Sequence, residues 1–236
     1  MGWQRQAQGE SIQGLVEDAL ARFEGAPVVV HGAGRTDAGV HALGQVASAA
    51  VTCAHPVDTI GRGLNAQLPA DIRLLSVVDA PPDFHARFSA RSKTYRYQLR
   101  AEGVGDPFTR AFTWQMPEAV DVEAMQSAAA LLVGTHDFAA FQSVGTETRS
   151  TVRTIFQSEL RHCAGCAGSA HSMTYEVRGD GFLRHMVRAI VGTLVEIGRG
   201  WRDARSMTQL LDGGRRAQAG ATAPPHGLFL VSVDYD

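Results

Sequence analysis

The sequence predicts an α+β fold built from two units. Strand-like and helix-like patterns alternate through both halves of the 236 residues, a length that suits one large domain or two small ones. Apolar residues make up 44% and charged residues 19%, as in soluble globular proteins. Gly103–Pro107 is a plausible break in the chain, so we predict an N-terminal domain of residues 1–104 and a C-terminal domain of residues 105–236.

The elements of the first half follow from hydrophobic periodicity and turn residues. Ser11 is placed to cap a helix that carries apolar residues on one face. A short strand near residues 27–31 precedes a glycine-rich turn, and a second strand near residues 45–51 follows it. The other predicted elements are a helix over residues 57–68 and strands over residues 73–78 and 93–100.

The second half repeats this mixture of elements without any repeat of sequence. Apolar periodicity separates its helices from its alternating strands. In chain order they are a helix over residues 122–133, strands over 153–160 and 173–177, an apolar helix over 181–197 and a strand over 229–234.

Residues 34–41, Gly-Arg-Thr-Asp-Ala-Gly-Val-His, carry the most chemical information. Asp37 lies on a turn whose glycines have no Cβ, so the backbone can come close to a ligand. Arg35 lies two residues earlier, and a nearby guanidinium keeps a carboxylate ionised and limits its rotamers. An ionised, oriented carboxylate can act as a nucleophile or as a general base. We therefore interpret Asp37 as a candidate catalytic residue.

The same run has two other interpretations. Asp and Gly are common in ordinary turns, which would explain both residue types without any chemistry. Gly32-Ala33-Gly34 also begins like a dinucleotide-binding fingerprint. Asp37 then takes the place of the third glycine, where its charge would repel a pyrophosphate. The sequence has neither a Walker loop nor a complete fingerprint, which disfavours a nucleotide-binding enzyme.

The charge of the chain is unevenly distributed. The net charge of −2 by itself does not indicate a nucleic-acid partner. Between Phe84 and Ala101, however, there are cations and no acid, namely Arg87, Arg91, Lys93, Arg96 and Arg100. A later stretch is also rich in arginine, with Arg184, Arg188, Arg199, Arg202 and Arg205. Such tracts indicate either ordinary solvated faces or one RNA-facing side.

The run from Gly34 to His41 resembles the catalytic motif of the TruA family of tRNA pseudouridine synthases. Further motifs resemble those of the family in the same order, and together they cover nearly the whole chain. They are Gly2-Trp3-Gln4, Asn65-Ala66-Gln67-Leu68-Pro69, Phe84-His85-Ala86-Arg87-Phe88, Tyr95-Arg96-Tyr97, Gly134-Thr135-His136-Asp137-Phe138, Phe182-Leu183-Arg184-His185-Met186-Val187-Arg188 and Gly227-Leu228-Phe229-Leu230. Several long motifs in one order are more specific than any single motif.

The resemblance implies two ferredoxin-like domains with a central RNA-binding cleft. It implies a cytoplasmic enzyme that isomerises uridine to pseudouridine at positions 38–40 of the tRNA anticodon stem-loop. It also implies a homodimer in which one tRNA touches both subunits, with no metal or organic cofactor. The alternative on the same fold is a non-catalytic RNA-binding protein, which would not need Asp37.

The resemblance also assigns roles to four side chains. Asp37 is the catalytic carboxylate, Tyr95 stacks on the target uracil, and Arg188 faces Asp37 across the cleft. Arg35 helps to displace the target and holds phosphate. From the residues alone, Tyr95 and Tyr97 share one face of a strand, where either ring could simply pack in the core, and Arg188 could be a surface arginine. With Tyr95 as the stacking ring, Tyr97 is predicted to be structural.

One departure from the family concerns the first residues. Family members normally begin with an apolar strand ending in Tyr-Asp-Gly before the Gly-Trp-Gln motif, whereas Met1 directly precedes Gly2 here. We therefore expect the N-terminal domain to lack its first strand, or the native protein to start upstream of Met1.

Metal, membrane and disulfide roles are each disfavoured. Cys163 and Cys166, flanked by His162 and His171, could form half of a zinc site, but their irregular spacing favours a metal-free hairpin, and we predict no metal. No stretch approaches the roughly 20 apolar residues of a membrane span. The three cysteines are too few for a disulfide framework.

Overall fold

The computed structural model describes residues 1–6, 9–145, 148–162 and 171–235. Helices and strands are mixed along the chain, which confirms the predicted α+β character. The α-helices are α1 (Ile12–Glu24), α2 (Val57–Gln67), α3 (Val122–Ala130), α4 (Met186–Gly198) and α5 (Ser206–Leu211). The strands are β1 (Val30–Gly32), β2 (His41–Ala42), β3 (Ala47–Ala49), β4 (Ser92–Arg100), β5 (Trp114–Gln115), β6 (Gly134–Asp137), β7 (Val152–His162), β8 (Ser172–Gly179) and β9 (Leu228–Asp234).

The chain forms two compact units. Unit 1 comprises Met1–Gly39, Gly44–Ala90 and Tyr235, and unit 2 comprises Val40–Leu43 and Arg91–Asp234. Contacts therefore divide the chain near residue 90, because β4 pairs along its length with β8 and β9 of unit 2. The predicted domains, residues 1–104 and 105–236, differ from these units in the placement of β2 and β4 and remain a prediction about independent folding.

Unit 1 is organised around α1, α2 and the antiparallel pair β1–β3. Ser11 caps α1 as predicted, since its Oγ accepts a hydrogen bond from the Gly14 N–H at 3.1 Å. α1 ends at Gly25, whose φ of 71° is left-handed. The buried core of this unit comprises Trp3, Ala19, Leu20, Val28, Val30, Ile60, Leu64, Leu68 and Ile72.

The strand predicted over residues 73–78 is not present, which corrects the sequence interpretation. The segment has no strand assignment, and a side chain binds its backbone instead. The Asn65 side chain donates from Nδ2 to the Leu74 C=O and accepts at Oδ1 from the Leu74 N–H, each at 2.8 Å. One amide thus takes the place of a neighbouring strand at this residue. Leu75 and Val78 are exposed.

A buried carboxylate joins α1 to β1. Glu17 is 8% exposed and accepts hydrogen bonds from the Val30 N–H at 3.1 Å and from Arg5 Nη1 at 2.9 Å. Burial alone would raise the pKa of Glu17, but these hydrogen bonds together with one from Gln13 lower it. The start of β1 is therefore tied to α1 by charge-assisted hydrogen bonds.

We expect acid to weaken a second carboxylate clamp in unit 1. Glu24 accepts hydrogen bonds from the Cys53 N–H, Thr52 Oγ1 and the Thr52 N–H at 2.7–2.8 Å. These hydrogen bonds, led by that from Cys53, lower the Glu24 pKa from 4.5 to about 2. Because the folded pKa is the lower one, the stabilisation is complete above pH 4.5 and is lost as the pH falls towards 2.

The test is urea unfolding of the unmutated protein and of Glu24→Gln between pH 7 and pH 3. The variant should be less stable at pH 7, and the difference should shrink on acidification, because a protonated Glu24 resembles the amide. The exposed Glu10→Gln serves as the control substitution. A stability difference that stays constant with pH would contradict the assignment.

Unit 2 is built on one mixed sheet. Among the described residues its strand order is β2-β9-β4-β8-β7-β6, with β5 paired to β4. β2 runs parallel to β9, β5 runs parallel to β4, and the other pairs are antiparallel. α3 packs on both β7 and α4. The predicted strands over residues 93–100, 153–160, 173–177 and 229–234 are confirmed as β4, β7, β8 and β9.

The two predicted helices of this unit are present but shorter. α3 ends at Ala130, and the exposed Leu131 and Val133 lie beyond it. α4 begins at Met186 rather than at residue 181, because His185 has a left-handed φ of 62° that helical residues do not adopt. Within the residues that the structure describes, no helix is long and apolar enough to cross a membrane.

Candidate active site

The loop that carries Asp37 follows β1 directly. Asp37 is partly buried, and the preceding Thr36 is 6% exposed. Gly39 has a φ of 83° that permits the turn. Ala33 continues the pairing beyond β1, since its N–H donates to the Val46 C=O at 2.8 Å. The turn predicted around Asp37 is therefore present, and it is anchored at its start.

The N-terminal segment supports this loop from the interior of unit 1. The Trp3 N–H donates to the Thr36 C=O at 3.0 Å, one residue before Asp37. The Trp3 ring lies so close to Gly32 that a Cβ there would be 2.4 Å from the ring. A Cβ on Gly2 would be 3.0 Å from the Thr36 C=O and 3.1 Å from the Ala38 nitrogen. The residues around Asp37 thus rest directly on Gly2 and Trp3.

The side chain of Gln45, which lies two residues before β3, also supports the loop. Its Nε2 donates to the Gly34 C=O at 2.8 Å, and its Oε1 accepts from the Gly34 N–H at 3.3 Å. One primary amide therefore satisfies both backbone groups of a residue three positions before Asp37. Such pairing restricts the loop as a neighbouring strand would.

Arg35 lies in the same loop but in a different environment from Asp37. Its side chain is exposed, and within the described residues it makes no ion pair with an acid. The contacts within the loop therefore do not support the expectation that Arg35 keeps Asp37 ionised and limits its rotamers. An exposed guanidinium is available to a phosphate.

Tyr95 and Tyr97 lie on one face of β4, as predicted from their spacing. Tyr95 is 8% exposed and packs edge-to-face with Phe182 at a centroid distance of 5.0 Å. Tyr97 is fully buried, and its hydroxyl donates to the Pro224 C=O at 2.7 Å. Tyr97 therefore has the surroundings of a structural residue, and only a small edge of Tyr95 reaches solvent.

Arg188 lies on α4, and the backbone of Ala223 holds its side chain. Its Nε donates to the Ala223 C=O at 2.7 Å, and the Ala223 N–H donates to the Arg188 C=O at 3.1 Å. The side chain is partly buried, so Arg188 is not a surface arginine that extends into water. Just before it, His185 adopts its left-handed conformation with Nδ1 2.5 Å from Ser143 Oγ. Strained residues of this kind are concentrated at functional sites.

A family model described as tRNA pseudouridine synthase matches residues 2–89 and 128–236 of this chain. A tRNA pseudouridine synthase A of Syntrophotalea carbinolica is 45% identical over 236 residues, which cover 100% of this chain and 91% of that protein. Proteins of the same name from Geotalea uraniireducens and Myxococcus xanthus are 44% and 42% identical, covering 99% and 100% of this chain and 93% and 87% of theirs. The chain belongs to the tRNA pseudouridine synthase family.

Membership of the tRNA pseudouridine synthase family confirms the resemblance. The dinucleotide-binding interpretation is disfavoured, because the loop carries Asp37 where a fingerprint needs glycine. Trp3 and Gln45 hold the loop through separate hydrogen bonds. The predicted site residues divide between the units, with Asp37 and Arg35 in unit 1 and Tyr95 and Arg188 in unit 2.

The basic tracts of this family member are partly neutralised by acids of the same chain. Arg96 pairs with Glu176 of the neighbouring strand at 3.1 Å. In the later tract, Arg199 pairs with Glu118 at 2.7 Å and Arg202 with Glu196 at 2.8 Å. Arg87 and Arg184 are exposed. Exposed arginines outside these pairs are better placed to bind phosphate than the paired ones.

Sequence reasoning missed the residues that position the loop. Gly2-Trp3-Gln4 was assigned only as a family motif, and neither Gly32 nor Gln45 was given a role in holding Asp37. Gly32 was a usable signal, because a glycine in a strand often marks a close approach of another group to the backbone. Cys163 and Cys166, the centre of the possible zinc site, lie outside the described residues. The strands before and after them pair antiparallel, with His162 opposite Met173.

Proposed function

We propose that this protein isomerises uridine to pseudouridine at positions 38–40 of the tRNA anticodon stem-loop, with Asp37 as the catalytic carboxylate. The observation that carries the proposal is the Asp37 loop, because Trp3 and Gln45 hold its backbone at Thr36 and Gly34, just before the carboxylate. A fixed loop orients Asp37 before the substrate binds, which lowers the entropic cost of reaction. The family model covers this loop and both of its supports.

The reaction rearranges bonds without any net addition or oxidation. The glycosidic bond from C1′ to N1 breaks, the uracil turns, and C5 bonds to C1′. C5 loses a proton and N1 gains one, so the atoms balance without a co-substrate. Asp37 serves either as the nucleophile that attacks C1′ or as the base that takes a ribose proton. Both roles need an ionised carboxylate close to the ribose, which requires the uridine to leave the helical stack.

The other three side chains act on the same uridine in this proposal. Tyr95 contacts the uracil through its solvent-facing edge, or more fully if Phe182 moves aside. Arg188 supplies a positive charge for Asp37, and its Nε bond to Ala223 fixes its direction. Arg35 is exposed and binds a tRNA phosphate as the target leaves the stack.

The decisive experiment is an isomerisation assay on an unmodified tRNA transcript, with chemical detection of pseudouridine at each position. Pseudouridine should form at positions 38–40 and at no other uridine. A transcript with cytidine at these three positions is the matched control and should stay unmodified. If the protein binds the transcript but forms no pseudouridine in it, the proposed activity is wrong and the non-catalytic RNA-binding alternative takes its place.

We expect tRNA affinity to fall steeply with salt despite the net charge of −2. If about five phosphates are neutralised, log K falls against log salt with a slope near −4. Arg184→Glu should flatten this slope because Arg184 is exposed, whereas Arg96→Glu should change it less because Arg96 already faces Glu176. Filter binding at several salt concentrations measures the slopes. A salt-independent affinity of the unmutated protein would contradict an RNA-facing role of these tracts.

The finer architectural expectations belong to the same proposal. They are two ferredoxin-like domains around a central cleft, a homodimer, and a cytoplasmic location, all of which the family resemblance implies. Light scattering coupled to size exclusion tests the dimer directly. A monomer at working concentration that isomerises uridine normally would remove the dimer from the proposal and leave the chemistry intact.

A further inference from the structure

A second aromatic feature of unit 1 lies outside the loop of Asp37. The rings of His31, His85 and Phe88, which we call the ring ladder, are in contact in that order, the first pair stacked and the second tilted. The His31 and His85 centroids are 4.7 Å apart at 28° between planes, and those of His85 and Phe88 are 4.4 Å apart at 39°. Phe88 ends the ladder with 76% of its surface exposed.

The backbone beneath Phe88 is held firmly. Ala86 is fully buried, its N–H donates to Ser48 Oγ at 3.1 Å, and its C=O accepts from the Tyr235 hydroxyl at 2.6 Å. His85 Nδ1 accepts from the N–H groups of both Arg87, at 3.1 Å, and Phe88, at 3.4 Å. A ring on such an anchored turn is already positioned for a ligand, so binding orders little of the chain.

The exposure of Phe88 has no explanation in the packing of unit 1. Its neighbour Ala86 is buried, so the turn brings the small side chain inward and leaves the large apolar one in water. The Arg87 guanidinium lies 5.5 Å from the Phe88 centroid. Because this guanidinium lies over the ring, an aromatic group and a cation are presented together, which suits a planar ligand that carries negative charge.

We infer that Phe88 is a stacking platform for an unpaired base of the tRNA other than the isomerised uridine, with Arg87 binding a phosphate beside that base. The inference rests on the proposed tRNA substrate. Sequence-tolerant base stacking needs an exposed aromatic ring, and the exposed Arg87 at Phe88 supplies a cation for the adjoining phosphate.

The surroundings of Phe88 favour a base over a protein surface. Binding of a protein partner would call for a contiguous apolar patch around Phe88. The groups that contact Phe88 are instead an imidazole and a guanidinium. Both of these stack readily on heteroaromatic rings and on bases. A second copy of this chain is the competing occupant, and the experiment distinguishes it.

The test is tRNA affinity across salt for a series at residue 88. Phe88→Ala and Phe88→Leu should weaken binding about tenfold, and Phe88→Trp should bind at least as well as the unmutated protein. The salt slope should be unchanged in all three, because a stacked ring releases no counterion. Arg87→Ala should instead reduce the slope by about 1. Phe108→Ala, at a phenylalanine that is 92% exposed, is the matched control and should change neither quantity.

Transcripts with single abasic sites at the unpaired positions of the anticodon loop identify the base. One abasic transcript should bind the unmutated protein about tenfold more weakly and should be insensitive to Phe88→Ala. If the insensitive position is the isomerised uridine itself, the inference is wrong.

Other outcomes separate the inference from the proposed function. Normal pseudouridine formation with unchanged affinity in Phe88→Ala would overturn the platform and leave the function standing. Weakened binding by Phe88→Ala in a protein that makes no pseudouridine would support the platform and refute the function. A change in oligomeric state of Phe88→Ala, seen by light scattering, would assign the ring to a second copy and overturn the inference.

Discussion

Replacing Asp37 with asparagine is expected to abolish isomerisation while tRNA affinity stays within about threefold. The amide has the shape of the carboxylate, but it can neither attack C1′ nor take a proton at neutral pH. We expect kcat to fall by at least about 1,000-fold, in the upper range for loss of a positioned catalytic group. Single-turnover assays on the transcript, with binding measured in parallel, give both quantities.

The control for this prediction is a carboxylate of unit 1 outside the loop. Asp79 is exposed, and Asp79→Asn should leave kcat within about twofold, because surface substitutions away from a site have small effects. Turnover of Asp37→Asn within tenfold of the unmutated rate would remove Asp37 from the chemistry, whichever of its two roles is considered.

Gly32→Ala is expected to be nearly as damaging, although Gly32 carries no reactive group. The added Cβ would lie 2.4 Å from the Trp3 ring, so the ring or β1 has to move. Overpacking of this kind costs about 1–3 kcal/mol of stability. Because Trp3 also binds Thr36, its displacement shifts Asp37, and a shift of about 1 Å can lower kcat/KM about 100-fold. Unfolding curves and transcript assays measure the two effects.

A double-mutant cycle attributes the Gly32→Ala effect to the Trp3 ring. Trp3→Leu should lower stability by itself, but Gly32→Ala added to it should cost little more, because the clashing ring is gone. Gly61→Ala is the control glycine on α2, where the Cβ would lie 3.3 Å from a Val77 methyl group and alanine favours the helix. Additive costs of Trp3→Leu and Gly32→Ala would show that the clash lies elsewhere.

Both predictions treat the Asp37 loop as a rigid support for one carboxylate. Its restraints come from two segments of unit 1, namely Gly2–Trp3 and the Gln45 side chain, which pairs with the Gly34 backbone. The pH-sensitive Glu24 clamp and the salt dependence of binding test other parts of the molecule, so their failure would leave the account of this loop unaffected.

The sequence by itself determined the features whose cause is local. Apolar periodicity and a capping serine predicted α1, and alternation predicted β4, β7, β8 and β9 close to their observed bounds. The glycine pattern placed Asp37 on a turn after a strand, and motif order identified the family. These features depend on residues within one turn or one strand, so a linear sequence contains the information.

Only the tertiary structure decided which distant residues meet. A strand needs a partner, and residues 73–78 have the Asn65 amide at Leu74 instead, so their apolar character did not produce a strand. α4 starts late because the left-handed backbone of His185 is imposed by its surroundings rather than by its residue type. The contact of Trp3 with Gly32 and the pairing of Gln45 with Gly34 depend on how unit 1 closes on itself. Packing creates these contacts, so periodicity and spacing predicted the carboxylate but not the residues that hold it in place.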